Sequence, residues 1–211
     1  MRKTMNLSVF WHSVEADSLS PDGTNPSARL FREHVRFLSE NYTPISVVDF
    51  LQIQRDKKLT RSYRKAPVCL GFDDGFKNVL TNALPVLEEF KVPAVFFVIG
   101  EILRNPNFVP WYVERKHLIR KAAKKTITYC NTSINLSLQQ DRTKLKSLFD
   151  ASFKGCPSEF DRQKALNDFA NLLDVNRPEG ADLDEDLKFV EPKDLANLPS
   201  SSLLTVASHA M

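Results

Sequence analysis

Short, nearly continuous apolar runs alternate along the chain with longer stretches in which apolar residues recur at helical spacing. Leu7, Val9 and Phe10, with Trp11 beyond, predict a strand over residues 6–10 that ends at His12. Residues 17–25 are crowded with Ser, Pro, Asp and Gly and predict a loop, with Asn25 capping the next helix and Pro26 in its first turn. Leu30, Phe31, His34, Val35 and Leu38 then form one stripe at spacings of one, three and four, with His34 at its edge. A turn over 41–44 leads to a second short strand at 45–48. Asp49 is placed to cap a brief helix running to about Arg55, and a charged loop follows over 56–65.

Residues 67–72 are almost wholly apolar, as in a strand covered on both faces, and the run stops at Asp73-Asp74-Gly75. Val79, Ala83, Leu84, Leu87 and Phe90 return to helical spacing, with Pro85 marking a kink or the start of a second helical piece. Another apolar run at 92–99 completes a strand, helix, strand order, so the two runs are expected to be parallel neighbours in an α/β fold. From 105 to 186 the texture becomes polar, basic and helix-prone over 112–124, 136–153 and 160–173. This reads as a helical insertion, bounded at 105–190, within one domain covering 1–211. A short helix at 192–198 and a core strand at 203–207 lead into Ser208-His209-Ala210-Met211.

With 42% hydrophobic and 26% charged residues the chain has ordinary globular composition, far from that of disordered chains, and is expected to fold. A net charge of +3 gives no basis for nucleic-acid binding. One denser basic patch, Arg115, Lys116, Arg120, Lys121, Lys124 and Lys125, admits peripheral contact with anionic lipid or a sugar phosphate, although a solvated helix face is the favoured reading. Cys69, Cys130 and Cys156 are too scattered for a zinc or redox motif. No segment approaches the roughly 18 apolar residues of a membrane span, and residues 1–11 lack the apolar run of a signal peptide. The cytoplasm is therefore the expected location.

Asp73-Asp74-Gly75 carries the chemistry. Asp-Gly is also a hairpin signal, but a hairpin needs a second alternating strand, whereas residues 76–90 are helical in pattern. Two carboxylates then stand at the C-terminal end of a parallel strand, the edge where α/β folds place their sites. Adjacent like charges are costly unless one binds a cation and the other serves as a base, and Gly75 allows the sharp turn that aims both at one centre. On the residues alone, a metal or catalytic role and a structural one both stand.

Cys69-Leu70-Gly71-Phe72-Asp73-Asp74-Gly75-Phe76 resembles the first motif of the polysaccharide deacetylase (NodB-homology) family, with Gly71 in place of the usual Thr or Ser. Residues 82–87 and 92–98 are similar to the helix and strand that follow it, residues 9–14 to the opening strand that ends in Tyr-His, and 206–211 to the start of the second motif. The resemblance implies a partial (β/α) barrel, a distorted TIM-like barrel, whose C-terminal part lies outside this sequence. It makes Asp73 the general base, with Asp74 and His209 as metal ligands; the third ligand would lie four residues beyond His209. One carboxylate and two imidazoles suit Zn²⁺, with Co²⁺, Ni²⁺ or Fe²⁺ as substitutes.

The implied reaction removes an N-acetyl or N-acyl group from an amino sugar of a polysaccharide or glycan precursor. The absence of an export signal favours a nucleotide-linked or lipid-linked precursor over a mature wall polymer. His12 is either a residue of the pocket floor or a structural histidine at a strand end. The competing expectation is an inactive or truncated deacetylase-like module that binds carbohydrate without turnover. A two-His, one-carboxylate Fe²⁺ oxygenase is disfavoured, because the βαβ pattern does not suit its β architecture.

Overall fold

The computed structural model describes residues 7–17, 25–199 and 202–209. Asn6 of the expected first strand, most of the expected loop at 17–25, and Ala210 and Met211 of the second motif lie outside them. In chain order the elements are β1 (Leu7–Trp11), α1 (Ala28–Asn41), β2 (Thr43–Pro44), α2 (Val47–Arg55), β3 (Pro67–Phe72), α3 (Leu84–Phe90), β4 (Ala94–Ile99), α4 (Gly100–Arg104), α5 (Trp111–Lys121), β5 (Thr126–Tyr129), β6 (Thr132–Asn135), α6 (Gln139–Lys154), α7 (Glu159–Leu173), α8 (Pro192–Ala196) and β7 (Leu204–His209). They fall into two compact units, Met1–Pro106 with Glu185–Met211, and Asn107–Asp184.

The first unit is built on a parallel sheet of order β1-β3-β4-β7, with the two-residue β2 also paired to β3. Every residue of β3 is buried, which is why its sequence is continuously apolar. Val68, Leu70, Phe72, Ala94, Phe96, Val98 and Leu204 point to one face and pack against Phe31, Val35 and Leu38 of α1 and Val86 and Leu87 of α3. Burying each such side chain contributes about 1.5–3 kcal/mol before conformational entropy is subtracted. Parallel strands with helical crossovers, open between β1 and β7 among the described residues, make an α/β architecture consistent with a partial, distorted (β/α) barrel.

Local chemistry moves several boundaries from their expected places. Ser27, not Asn25, caps α1, its Oγ accepting the Leu30 N–H at 3.3 Å. The expected strand at 45–48 is not formed: β2 lies at Thr43–Pro44, within the expected turn, and Ser46 already caps α2, its Oγ accepting the Asp49 N–H at 3.1 Å and donating to the Asp49 carboxylate at 2.7 Å. Asp49 therefore sits inside the first turn. A π-helical turn, Val79–Ala83, precedes α3, and Pro85 lies in the first turn of α3, where its missing N–H costs nothing.

The second unit has its own core, in which Leu145, Phe149, Leu166, Phe169 and Leu173 from α6 and α7 meet Leu118, Ile127 and Ile134. Besides three helices it contains the antiparallel β5–β6 hairpin, which helical expectations did not include. Its two turn residues are Cys130 and Asn131, at φ 47° and 57°, in place of the Asn-Gly that announces such a turn. Nor do the basic residues of this unit form one solvated face. Arg115 is buried, pairs with Asp150 and lies over the Trp111 ring, while Arg120 and Lys121 both approach Asp184. Glu114, also buried, receives a two-pronged contact from Arg177. No helix among the described residues is long and apolar enough to cross a membrane.

Candidate active site

The site is assembled where β1, β3 and β7 end. β3 gives way to Asp73, whose N–H donates to the Trp11 carbonyl at 2.9 Å and so carries the pairing with β1 one residue further. The chain then folds sharply: the Gly75 N–H closes on the Asp73 carbonyl at 3.0 Å, with Asp74 at φ 75° and Gly75 at φ 94°. A three-residue turn with a non-glycine centre at positive φ is strained, by about 1–3 kcal/mol, and persists only where its surroundings hold it. Here the Asp74 carbonyl accepts the Ile99 N–H at 3.4 Å and the Gly75 carbonyl accepts the Val190 N–H at 2.9 Å. A Cβ on Gly75 would fall 2.9 Å from Val98 Cγ1.

His209, the last residue of β7, is in register with Ile99 of β4. That register brings its Nε2 to 3.9 Å from Asp73 Oδ1 and 4.0 Å from Asp74 Oδ1. The three side chains differ in exposure: 8% for Asp74, against 26% for Asp73 and 33% for His209. The best buried carboxylate therefore sits behind a more open carboxylate and imidazole. Burial raises the Asp73 pKa above its ordinary value; His209 and His12 oppose this and the neighbouring Asp74 adds to it. His12, exposed at the end of β1, is thus within electrostatic reach of Asp73. All four expected site residues gather at one end of the sheet.

The donor set can be compared with what a divalent cation needs. Zinc–nitrogen and zinc–carboxylate bonds run about 2.0–2.2 Å, so at the tetrahedral angle two donors sharing one ion stand roughly 3.4 Å apart. The 4.0 Å between Asp74 Oδ1 and His209 Nε2 is wider than that, and the two side chains would have to draw together to share an ion. Among the described residues no group of three or more His, Cys, Asp and Glu is arranged to hold a metal, so this pair supplies two donors.

Other parts of the site left only a slight trace in the sequence. Phe10 lies over Gly71, where a Cβ would stand 2.3 Å from Phe10 Cε1, so any larger residue at 71 would displace this exposed ring. Phe10 continues to Phe97 at 6.1 Å between ring centroids, and Phe97 meets the His209 ring edge-on at 6.5 Å. Asn78, buried just beyond the turn, accepts the Val14 N–H at 3.4 Å and donates to the Asp186 carbonyl at 3.2 Å. Asn82, four residues on, donates to the Val14 carbonyl at 2.8 Å, and that spacing of two asparagines is the one hint the sequence offered.

Residues 60–151 match the family model described as polysaccharide deacetylase. Over that stretch, somewhat less than half of the chain, the sequence is similar to polysaccharide deacetylases of the NodB type. Among curated proteins it is similar to the poly-β-1,6-N-acetyl-D-glucosamine N-deacetylases of Escherichia coli strains K12 and O157:H7, each 29% identical over 101 residues. That stretch is 47% of this chain and 15% of the relative, so the chain spans only a small part of those proteins. Among solved structures it is similar to the Streptococcus pyogenes deacetylase PplD in complex with acetate, with 21% identity and a TM-score of 0.41, covering 46% of this chain and 44% of that one. It is also similar to a de-N-acetylase from Aggregatibacter actinomycetemcomitans, with 19% identity and a TM-score of 0.36, covering 68% and 52%. Asp73 and Asp74 lie within the matched stretch, and His209 lies beyond it.

Proposed function

We propose that the domain hydrolyses the N-acetyl group of an amino sugar in a polysaccharide or glycan precursor, with a divalent cation held by Asp74 and His209. The observation that carries this reading is the convergence of Asp73, Asp74 and His209 within 4.0 Å at the C-terminal mouth of a parallel sheet. Zn²⁺ is the first choice of cation and Co²⁺ its substitute. When bound, such an ion acidifies a coordinated water and polarises a carbonyl.

The chain's own groups divide the remaining work. Asp73, more open than Asp74 and held at a raised pKa by burial, accepts the proton of the water that attacks the amide carbonyl. Breaking the C–N bond then yields acetate and the free amine. Asp74, almost enclosed, cannot serve both as ligand and as base. Its fixed position against His209 suits the ligand role.

Co²⁺ titration followed by visible absorption tests the cation pair. Saturable binding at one equivalent is expected for the chain as it stands, at least tenfold weaker in Asp74→Ala and retained in Asp73→Asn. Release of acetate from a β-1,6-linked N-acetylglucosamine oligomer is expected to be lost in Asp73→Asn. Binding of Co²⁺ unaffected by Asp74→Ala rejects the ligand assignment. Binding of the oligomer without any acetate release favours the non-catalytic carbohydrate-binding module instead.

A further inference from the structure

The turn that carries Asp73 and Asp74 is held from below by the sheet and from the side by a segment far away in sequence. Residues 185–194, the stretch into which the chain passes directly after the second unit ends at Asp184, run alongside residues 75–78. The Val190 N–H donates to the Gly75 carbonyl at 2.9 Å, and the Lys77 N–H donates to the Lys188 carbonyl at 2.9 Å. Between these two bonds Phe76 and Phe189 pair as an antiparallel bridge, their rings stacked at 4.7 Å. Asn78 Nδ2 reaches the Asp186 carbonyl at 3.2 Å, and Lys77 Nζ reaches Asp194 Oδ2 at 3.2 Å. Five contacts thus bind a four-residue stretch that follows the paired aspartates without a break.

We infer that this segment is a strap whose Phe189 and Val190 are positioning residues: they hold Gly75 and Phe76 so that Asp74 stays at positive φ with its carboxylate facing His209. The inference rests on the cation-site reading above and adds to it a named device acting through the turn. The physical reason is that a left-handed aspartate relaxes to negative φ unless both flanks are fixed. β1 and β4 fix the side before it, through Asp73 N–H to Trp11 and Ile99 N–H to Asp74. Among the described residues, the strap contacts alone bind the Gly75 carbonyl and the Lys77 N–H on the other side. Phe189 is the natural anchor, because its ring stacks on the buried Phe76 between the two backbone hydrogen bonds.

Amide hydrogen exchange and the His209 imidazole NMR resonances, measured on the full chain without metal, test this. Phe189→Ala is expected to speed exchange at least tenfold not only at Lys77 and Val190, which the strap touches, but also at Asp73 and Ile99, which it does not touch. It should also shift the His209 ring signals. Phe189→Tyr, which keeps the ring, restores both. If Phe189→Ala fails to fold, Asp194→Asn, which weakens the grip on Lys77 and keeps a side-chain oxygen to accept the Glu191 N–H, gives a few-fold change in the same direction. Acceleration confined to Lys77 and Val190, with unmoved His209 signals, overturns the positioning role. Co²⁺ titration of the same variants separates the two readings: a wild-type chain that takes up no Co²⁺ defeats the cation site, while the exchange pattern still decides the strap.

Discussion

Gly75 stands at φ 94°, and a methyl group on it would meet Val98 Cγ1 at 2.9 Å, so both backbone and packing demand glycine. Gly75→Ala is expected to destabilise the first unit by about 1–3 kcal/mol, read as a lower urea midpoint with an unchanged slope. A change below about 0.5 kcal/mol would show that the turn relaxes freely. The need for glycine here was legible in sequence, because two carboxylates at a strand end can face one centre only across a sharp turn. The left-handed conformation of Asp74 itself was not, since it arises from hydrogen bonds donated by Ile99 and Val190, residues that no local pattern connects to the motif. Gly71 shows the opposite limit: read along the chain it is only a departure from the family pattern, and its contact with Phe10 becomes visible once that ring lies across it.

At the scale of elements, β3 and β4 were legible because a strand covered on both faces must be apolar throughout, and their burial bears this out. Helix starts were less so. Ser27 and Ser46 compete with Asn25 and Asp49 as caps, all four residues having the right chemistry, and only the path of the preceding backbone selects the serines. The β5–β6 hairpin left no trace because Cys130 and Asn131 are a poor pair for a turn that needs two positive φ values. That mismatch is itself testable. Replacing Cys130-Asn131 by Asn-Gly should stabilise the second unit by about 0.5–1 kcal/mol, seen as slower exchange of the hairpin amides at Ile127 and Ile134. Unchanged or faster exchange would mean that the cysteine side chain compensates for the strain.

At the scale of the whole molecule, two separate cores divide the chain, and β7 completes the sheet of the first unit only after the second has been traversed in sequence. The pairing of Ile99 with His209 could be guessed from the family's motif order, but nothing in the intervening composition fixes it. The second unit carries a titration of its own. His117 is 6% exposed, and among the described residues its Nδ1 has no hydrogen-bond partner. Burial lowers its pKa, with Lys121 and Arg120 adding to that effect and Asp184 and Asp182 opposing it. The folded unit therefore keeps the imidazole neutral at a pH where the unfolded chain, titrating near 6.5, already binds a proton. Stability is fully present above about pH 6.5, falls as the pH drops towards the lowered folded value, and stops changing through this group below it. His117→Gln, neutral at every pH, should flatten the dependence of the second unit's urea midpoint between about pH 7 and 5. The first unit's midpoint should be unaffected by the substitution. A wild-type slope surviving in the variant would place the acid sensitivity elsewhere among the charges of residues 107–184.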